Sequence, residues 1–294
     1  RLAFARIAAA PTPPDVVLAH ALHQAPRLSP GAWPVAVYLP GPPHARYVDD
    51  LRKADALISD GWAARQLPAM IGRPVDNVVK GVDIAVFTPS GPNLRDALGL
   101  RQKRVVIAVT RLVPIKNLHL LLAAIARARA TDPAIVLVLV GDGPLRAELE
   151  ARAAALGIAD AVRFAGYVPQ AETAAWYRTA DLFALSSDFD NSPNVVLEAM
   201  ASGLPIVATD VGGLRDYVTP PEGGSLTPKG EAEAFAAAML SWLSNREQAA
   251  AAGHYNRLEA VARFSWKVSA ANMLAVYQRV VDQFARRRPV ARAS

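Results

Sequence analysis

The 294-residue chain contains no cysteine, which excludes disulfides, thiolate nucleophiles and cysteine-ligated metals. Its five histidines are scattered without the spacing that metal ligation requires, so no metal site is expected. Apolar runs are strand-sized, as in "AIVLVLV" at 134–140, and none approaches the ~18 residues of a membrane span. A G-x-x-x-x-G-K-[ST] phosphate loop is absent. So are internal repeats and low-complexity tracts. Basic and aromatic residues are not interleaved in the pattern of a nucleic-acid surface, and no nucleic-acid partner is expected.

What is present is a well-buried globule: 52% of residues are apolar. The formal charge of +6 suits phosphate-bearing ligands or an anionic membrane face. Basic residues are dispersed except for "RRRPVAR" at 286–292, which reads either as a solvated tail or as a headgroup contact. The expected location is cytoplasmic, with possible peripheral contact at the inner membrane face. The opening "RLAFARIAAA" lacks the apolar centre and cleavage site of a signal peptide and reads as a helix fragment from inside a domain.

Short apolar strands alternate with helical patterns. Strands are expected at 15–20, 34–39, 55–58, 104–109, 134–140, 161–165, 182–185 and 205–208. Leu118, Leu121, Leu122 and Ile125 form one helical face, and Met273, Tyr277, Val280, Val281 and Phe284 another. This alternation predicts an α/β fold with parallel sheets covered on both faces. Nine of the 23 prolines fall in residues 1–43, so the first part is loop-rich. A break near 78–92 separates a partial α/β unit, 1–80, from a complete one, 81–265. Residues 266–294 follow as a helix and basic tail.

In open parallel sheets, ligands bind at the carboxyl ends of strands, so the chemistry should lie in strand-to-helix loops. In "TRLVPIKN" (110–117), Arg111 and Lys116 are the two cations, suited to a diphosphate, and Asn117 can cap the next helix. In "GDGPL" (141–145), Gly141 and Gly143 permit either a structural turn or close approach to a ligand. In "SDFDNSPNVVLEAM" (187–200), Ser192 fits an N-cap and Pro193 the first helical position. The amides of Asn194 and Val195 would then face an anion. Asp190 and Glu198 would flank that anion, or else serve as a capping acid and a solvent-facing acid. Gly212 and Gly213 fit a close-packed turn. His20 fits a core or loop position or a ligand-facing one.

Taken together, "KGVDIAVFTP", "VTRLVPIKNLHLLL", "LVGDGPLRAEL", "VRFAGYVP" and "DNSPNVVLEAMASGLPIVATDVGG" resemble the retaining, nucleotide-sugar-dependent glycosyltransferases of GT-B fold, the group 1 family, over roughly residues 75–285. The resemblance implies two Rossmann-like domains joined across a cleft, the N-terminal one incomplete here. It implies Arg111, Lys116 and Asp190 as catalytic residues, with Asp190 on the donor sugar. Glu198 becomes a ribose ligand; Ser192, Asn194, Val195, Gly141 and Gly143 complete the donor site, and Tyr167 and Val168 take the base. No cofactor is implied: the nucleoside-diphosphate sugar is a substrate, and a glycan or lipid-linked molecule the acceptor. Three departures stand out. The first acid is Asp190 followed by Asn191, where Glu and Gly are usual in the family. Lys80 replaces Asn before Gly81. Pro40-Gly41 stands where the family often has His-Gly, with His44 out of register. The first strands and the glycine-rich loop of the N-terminal domain are not seen. Either roughly a hundred residues precede Arg1, on typical domain size, or the protein is a remnant. Two alternatives follow: a nucleotide-sugar-binding protein without transfer activity, and a sugar-nucleotide epimerase of the same fold.

Overall fold

The computed structural model describes residues 14–21, 23, 26 and 33–287. Residues 1–10 and most of the basic stretch 286–292 lie outside them. The described residues fall into two compact units: those up to Lys80 together with those from Lys267 onward, and Gly81–Trp266.

The first unit has a four-stranded parallel sheet in the order β1-β2-β3-β4: Val17–His20, Val35–Tyr38, Ala56–Ser59 and Asp76–Asn77. Helices α1 (Val48–Leu51) and α2 (Gly61–Ile71) accompany it. All four residues of β2 are buried, because alternate side chains serve two cores. Val35, Val37 and Leu39 pack with Leu51, Leu67 and Ile71. Ala36 and Tyr38 pack on the other side.

The second unit contains β5 (Arg104–Val109), α3 (Leu118–Thr131), β6 (Ile135–Val140), α4 (Arg146–Ala155), β7 (Val162–Gly166), α5 (Gln170–Tyr177) and β8 (Leu182–Leu185). It continues with α6 (Asn194–Ala201), β9 (Ile206–Thr209), β10 (Gly224–Thr227), α7 (Ala232–Ser244) and α8 (Arg246–Arg263). The last helix, α9 (Trp266–Arg287), returns to the first unit. There its Val276 and Val280 cover Ala36, Tyr38, Ala56 and Ile58.

The second sheet runs β10-β9-β8-β5-β6-β7, with every pairing parallel. A sheet covered on both faces needs continuous apolar strands, and β6, "IVLVLV", is buried at all six positions. The α3 face expected from the sequence is buried in full. From β5 the chain winds outward to β7, then returns to the other side of β5 for β8, β9 and β10. The strand order therefore reverses between β5 and β8, the point at which the loops leaving adjacent strands diverge and open a crevice. Among the described residues no helix is long and apolar enough to cross a membrane.

Candidate functional site

The loops leaving β5 and β8 meet at this reversal. After β5 the chain passes through a 3-10 turn at Pro114–Lys116 to Asn117, which adopts the left-handed conformation (φ 42°, ψ 50°). Asn117 Oδ1 accepts from the Leu120 amide at 3.3 Å, capping α3 as expected. Its Nδ2 donates to Asp188 Oδ1 at 2.9 Å, which ties it to the loop beyond β8. Two further bonds join these loops: the Asp188 amide donates to the Ile115 carbonyl at 2.8 Å, and the Ser186 hydroxyl to the Lys116 carbonyl at 3.0 Å.

Lys116 Nζ thereby reaches both carboxylate oxygens of Asp190, at 2.7 and 3.0 Å. Each side chain is only 13% exposed. The two residues were expected to hold different parts of a ligand; here they hold each other. Arg111, on the same loop, is exposed and its guanidinium pairs with no described residue. The second loop reads Asp188-Phe189-Asp190, a spacing that could offer two carboxylates to one cation. The acids face different partners instead: Asp188 takes Asn117 and, at 3.6 Å, Lys229. Among the described residues, no group of three or more His, Cys, Asp or Glu is arranged to hold a metal ion.

The expected helix start shifts by one residue. Pro193, not Ser192, is the N-cap: its backbone is extended (φ −78°, ψ 113°) and the helix begins at Asn194. Ser192 caps nothing, because its hydroxyl is 2.6 Å from the Tyr217 hydroxyl. Asn194 and Val195 occupy the first turn of α6, where amides have no partner within the helix. Glu198 is neither solvent-facing nor a cap. It is buried in a helix whose other buried residues are all apolar, and its Oε2 accepts from the Tyr177 hydroxyl at 2.8 Å. Burial raises its carboxyl above the ordinary 4.5, while hydrogen bonds from Tyr177 and Gln170 pull it down. The Tyr177 phenol is pushed well above its usual 10.0, first by burial and then by the Glu198 charge and hydrogen bond. Sequence reasoning missed Tyr177. It ends α5 in "AAWYRT", and nothing in that stretch marks it as more than core.

The glycine loop abuts the loop after β5. Gly141 has φ +130°, and a Cβ there would stand 1.9 Å from the Thr110 carbonyl oxygen; one at Gly143 would stand 2.5 Å from that of Leu112. Leu112 also exchanges backbone bonds with this loop, donating to Asp142 and accepting from Leu145. The requirement for glycine is thus met by loop-to-loop packing. On the far side, Gly213 donates to the Asp190 carbonyl at 2.9 Å, and a Cβ at Gly212 would stand 1.9 Å from it, a close-packed turn. Tyr167, beyond the end of β7, is 79% exposed, and Val168 is half-buried. The loops at 110–117, 141–145 and 186–193 therefore converge at the carboxyl edge. A cavity of about 750 Å³ lies at the opposite edge, lined by Arg104, Asp181 and Pro205 among others, away from Lys116.

Residues 92–259 match the model of the family described as Glycosyl transferases group 1. The chain is 36% identical over 210 residues to a D-inositol 3-phosphate glycosyltransferase of Segniliparus rotundus, a match covering 69% of this chain and 46% of that protein. It is 30% identical over 209 residues to a GDP-mannose-dependent alpha-(1-6)-phosphatidylinositol monomannoside mannosyltransferase of Mycolicibacterium smegmatis, covering 68% and 55%. The chain spans about half the length of these relatives. Among solved structures, Anabaena HepE in complex with UDP and glucose superposes with a TM-score of 0.78 at 23% identity, over 90% of this chain and 78% of that one.

Proposed function

The chain belongs to the group 1 glycosyl transferases and has the GT-B type of fold, and on that premise we propose that it transfers a sugar from a nucleoside-diphosphate sugar to a glycan or lipid-linked acceptor with retention of configuration. The observation that carries this reading is the Lys116–Asp190 pair at the point where the strand order reverses, with Arg111 on the same loop and exposed. The donor diphosphate takes Arg111 and Lys116 as counter-charges and the first-turn amides of α6 as hydrogen-bond donors. Charge growing on the departing diphosphate is stabilised by groups already in place, the arrangement that contributes most in many enzymes. Asp190 exchanges its lysine for a hydroxyl of the donor sugar, and Glu198 takes the ribose. Tyr167 and Val168 lie beside the base. Of the acids nearest the diphosphate, Asp190 is held by a cation, Asp188 by an amide and Glu198 by a phenol, so among the described residues none of these is poised as the general base an epimerase would need.

The mannosyltransferase is named for a GDP-mannose donor and the inositol relative for its acceptor alone, so the test is a screen. Thermal-shift titration with UDP-, GDP- and ADP-sugars should raise the melting temperature with one base class. NMR of the product anomer then reads retention. If none of the donors binds, the reading is wrong.

A further inference from the structure

We infer that Tyr177 is the positioning residue for Glu198, aiming its carboxylate at the ribose of the bound nucleotide. The inference rests on the reading of Glu198 as the ribose ligand. In an α-helix, side chains lean toward the N-terminus, so a residue covers the turn before its own. Glu198 therefore lies over the turn of Asn194 and Val195, next to the proposed diphosphate position. The Tyr177 hydroxyl is found at the same place, 3.3 Å from the Val195 carbonyl and 2.8 Å from Glu198 Oε2. A phenol has one proton to give. The shorter, charge-assisted bond to the carboxylate takes it.

Tyr177 itself cannot swing away. It is fully buried, edge-on to Phe87 with ring centroids 5.8 Å apart and tilted against Phe183 at 6.0 Å. Its phenol stays protonated because burial opposes the phenolate. An immobile donor on Oε2, with Gln170 as a second donor to the carboxyl group, fixes its plane, and the remaining lone pairs accept from the ligand. The same bond favours the ionised carboxylate against the burial that opposes it. A Glu held this way reads a hydroxyl pair without searching rotamers, which lowers the ordering cost of binding.

The discriminating variant is Tyr177→Phe, which keeps the ring in its packing and removes only the O–H. Wild type and variant are titrated with UDP, GDP and ADP, then with the 2′,3′-dideoxy form of whichever binds tightest. Loss of a hydrogen bond to a charged acceptor, acting here through Glu198, should weaken the ribonucleotide about fivefold or more. The dideoxy form, with no hydroxyl for Glu198 to read, should bind both proteins within about twofold. An equal loss for both nucleotides, or no loss for either, overturns the inference alone. If wild type binds none of the three, the proposed function fails and takes this inference with it. A second arm uses Glu198→Gln: adding Tyr177→Phe to it should produce no further loss for the ribonucleotide, and additive losses would refute the coupling.

Discussion

Lys116 and Asp190 provide a prediction that separates stability from binding. Two unit charges about 3 Å apart attract by about 5 kcal/mol at an effective dielectric near 20. Desolvation of both largely offsets this, so the pair contributes little net stability. Removing one partner is another matter, because it leaves the other buried and uncompensated, at a cost of about 3–5 kcal/mol. With both side chains only 13% exposed, Lys116→Met should fall in that range. Asp190→Asn should cost less, about 1–2 kcal/mol, since the lysine stem can carry its ammonium to water. The double variant Lys116→Met/Asp190→Asn should be more stable than Lys116→Met alone, by about 1.5 kcal/mol or more of coupling, as read by urea unfolding. Binding should run the other way. Asp190→Asn frees the ammonium for phosphate and should tighten the bare nucleoside diphosphate by up to about tenfold, or ~1.4 kcal/mol. Both Lys116→Met variants should lose diphosphate affinity. A double variant no more stable than Lys116→Met would show that the pair is not coupled. Unchanged nucleotide affinity in Asp190→Asn would refute the exchange of Asp190 for phosphate.

Arg111→Ala should leave stability within about 0.5 kcal/mol, since the side chain is exposed and pairs with no described residue, yet weaken diphosphate binding in calorimetry; a large drop in melting temperature would mean that Arg111 is structural. Gly141→Ala drives a Cβ to 1.9 Å from the Thr110 carbonyl oxygen at φ +130° and should destabilise by more than about 3 kcal/mol in urea, whereas Gly157→Ala, with a positive φ but open space around it, should cost about 1 kcal/mol; similar losses at both would remove the packing argument. Burial raises the folded-state Glu198 above its ordinary 4.5, so the native protein binds this proton more tightly than the unfolded chain. Stability contributed by the group is present below 4.5 and is lost as pH rises through the raised value; Glu198→Gln should abolish that component in melts from about pH 4 to 7, and identical profiles would refute it.

Much of the fold was legible because its strands are apolar on both faces. After Arg104, strands β5, β6 and β8 are continuous runs of Val, Ile, Leu, Phe and Ala, and such short runs bounded by loops suit a buried strand better than a helix. The edge strand β10, "GSLT", was not legible. It offers no apolar run and pairs with β9 alone, so its place depends on its neighbour and on little of its own sequence. Strand β4 has two residues, too few for any periodicity. The helix start at Asn194 shows the limit of cap rules. Ser192 and Pro193 match the preferred types for cap and first turn, but the Ser192 hydroxyl already has Tyr217, 25 residues away, and the backbone turns helical one residue later.

The two acids of the 187–200 stretch show why a site is harder to read than a sheet. Their eight-residue separation fixes where each stands along one loop and helix, and that much the sequence carries. Their chemistry is decided by what other elements bring across the gap. The loop after β5 brings an ammonium to Asp190, and the end of α5 brings a phenol to Glu198. Both partners lie at least 21 residues from the acid they meet, so no local pattern links them. Asp190 is therefore a carboxylate already paired with an ammonium, which, on the proposed reading, a ligand must win from its lysine. Glu198 is a carboxyl group buried against its own charge, which a donor bond orients and draws back toward the ionised form. On the proposed reading, one acid exchanges partners and the other stays still. That division rests on an ammonium carried by a flexible four-carbon stem on one side and a phenol packed against Phe87 and Phe183 on the other.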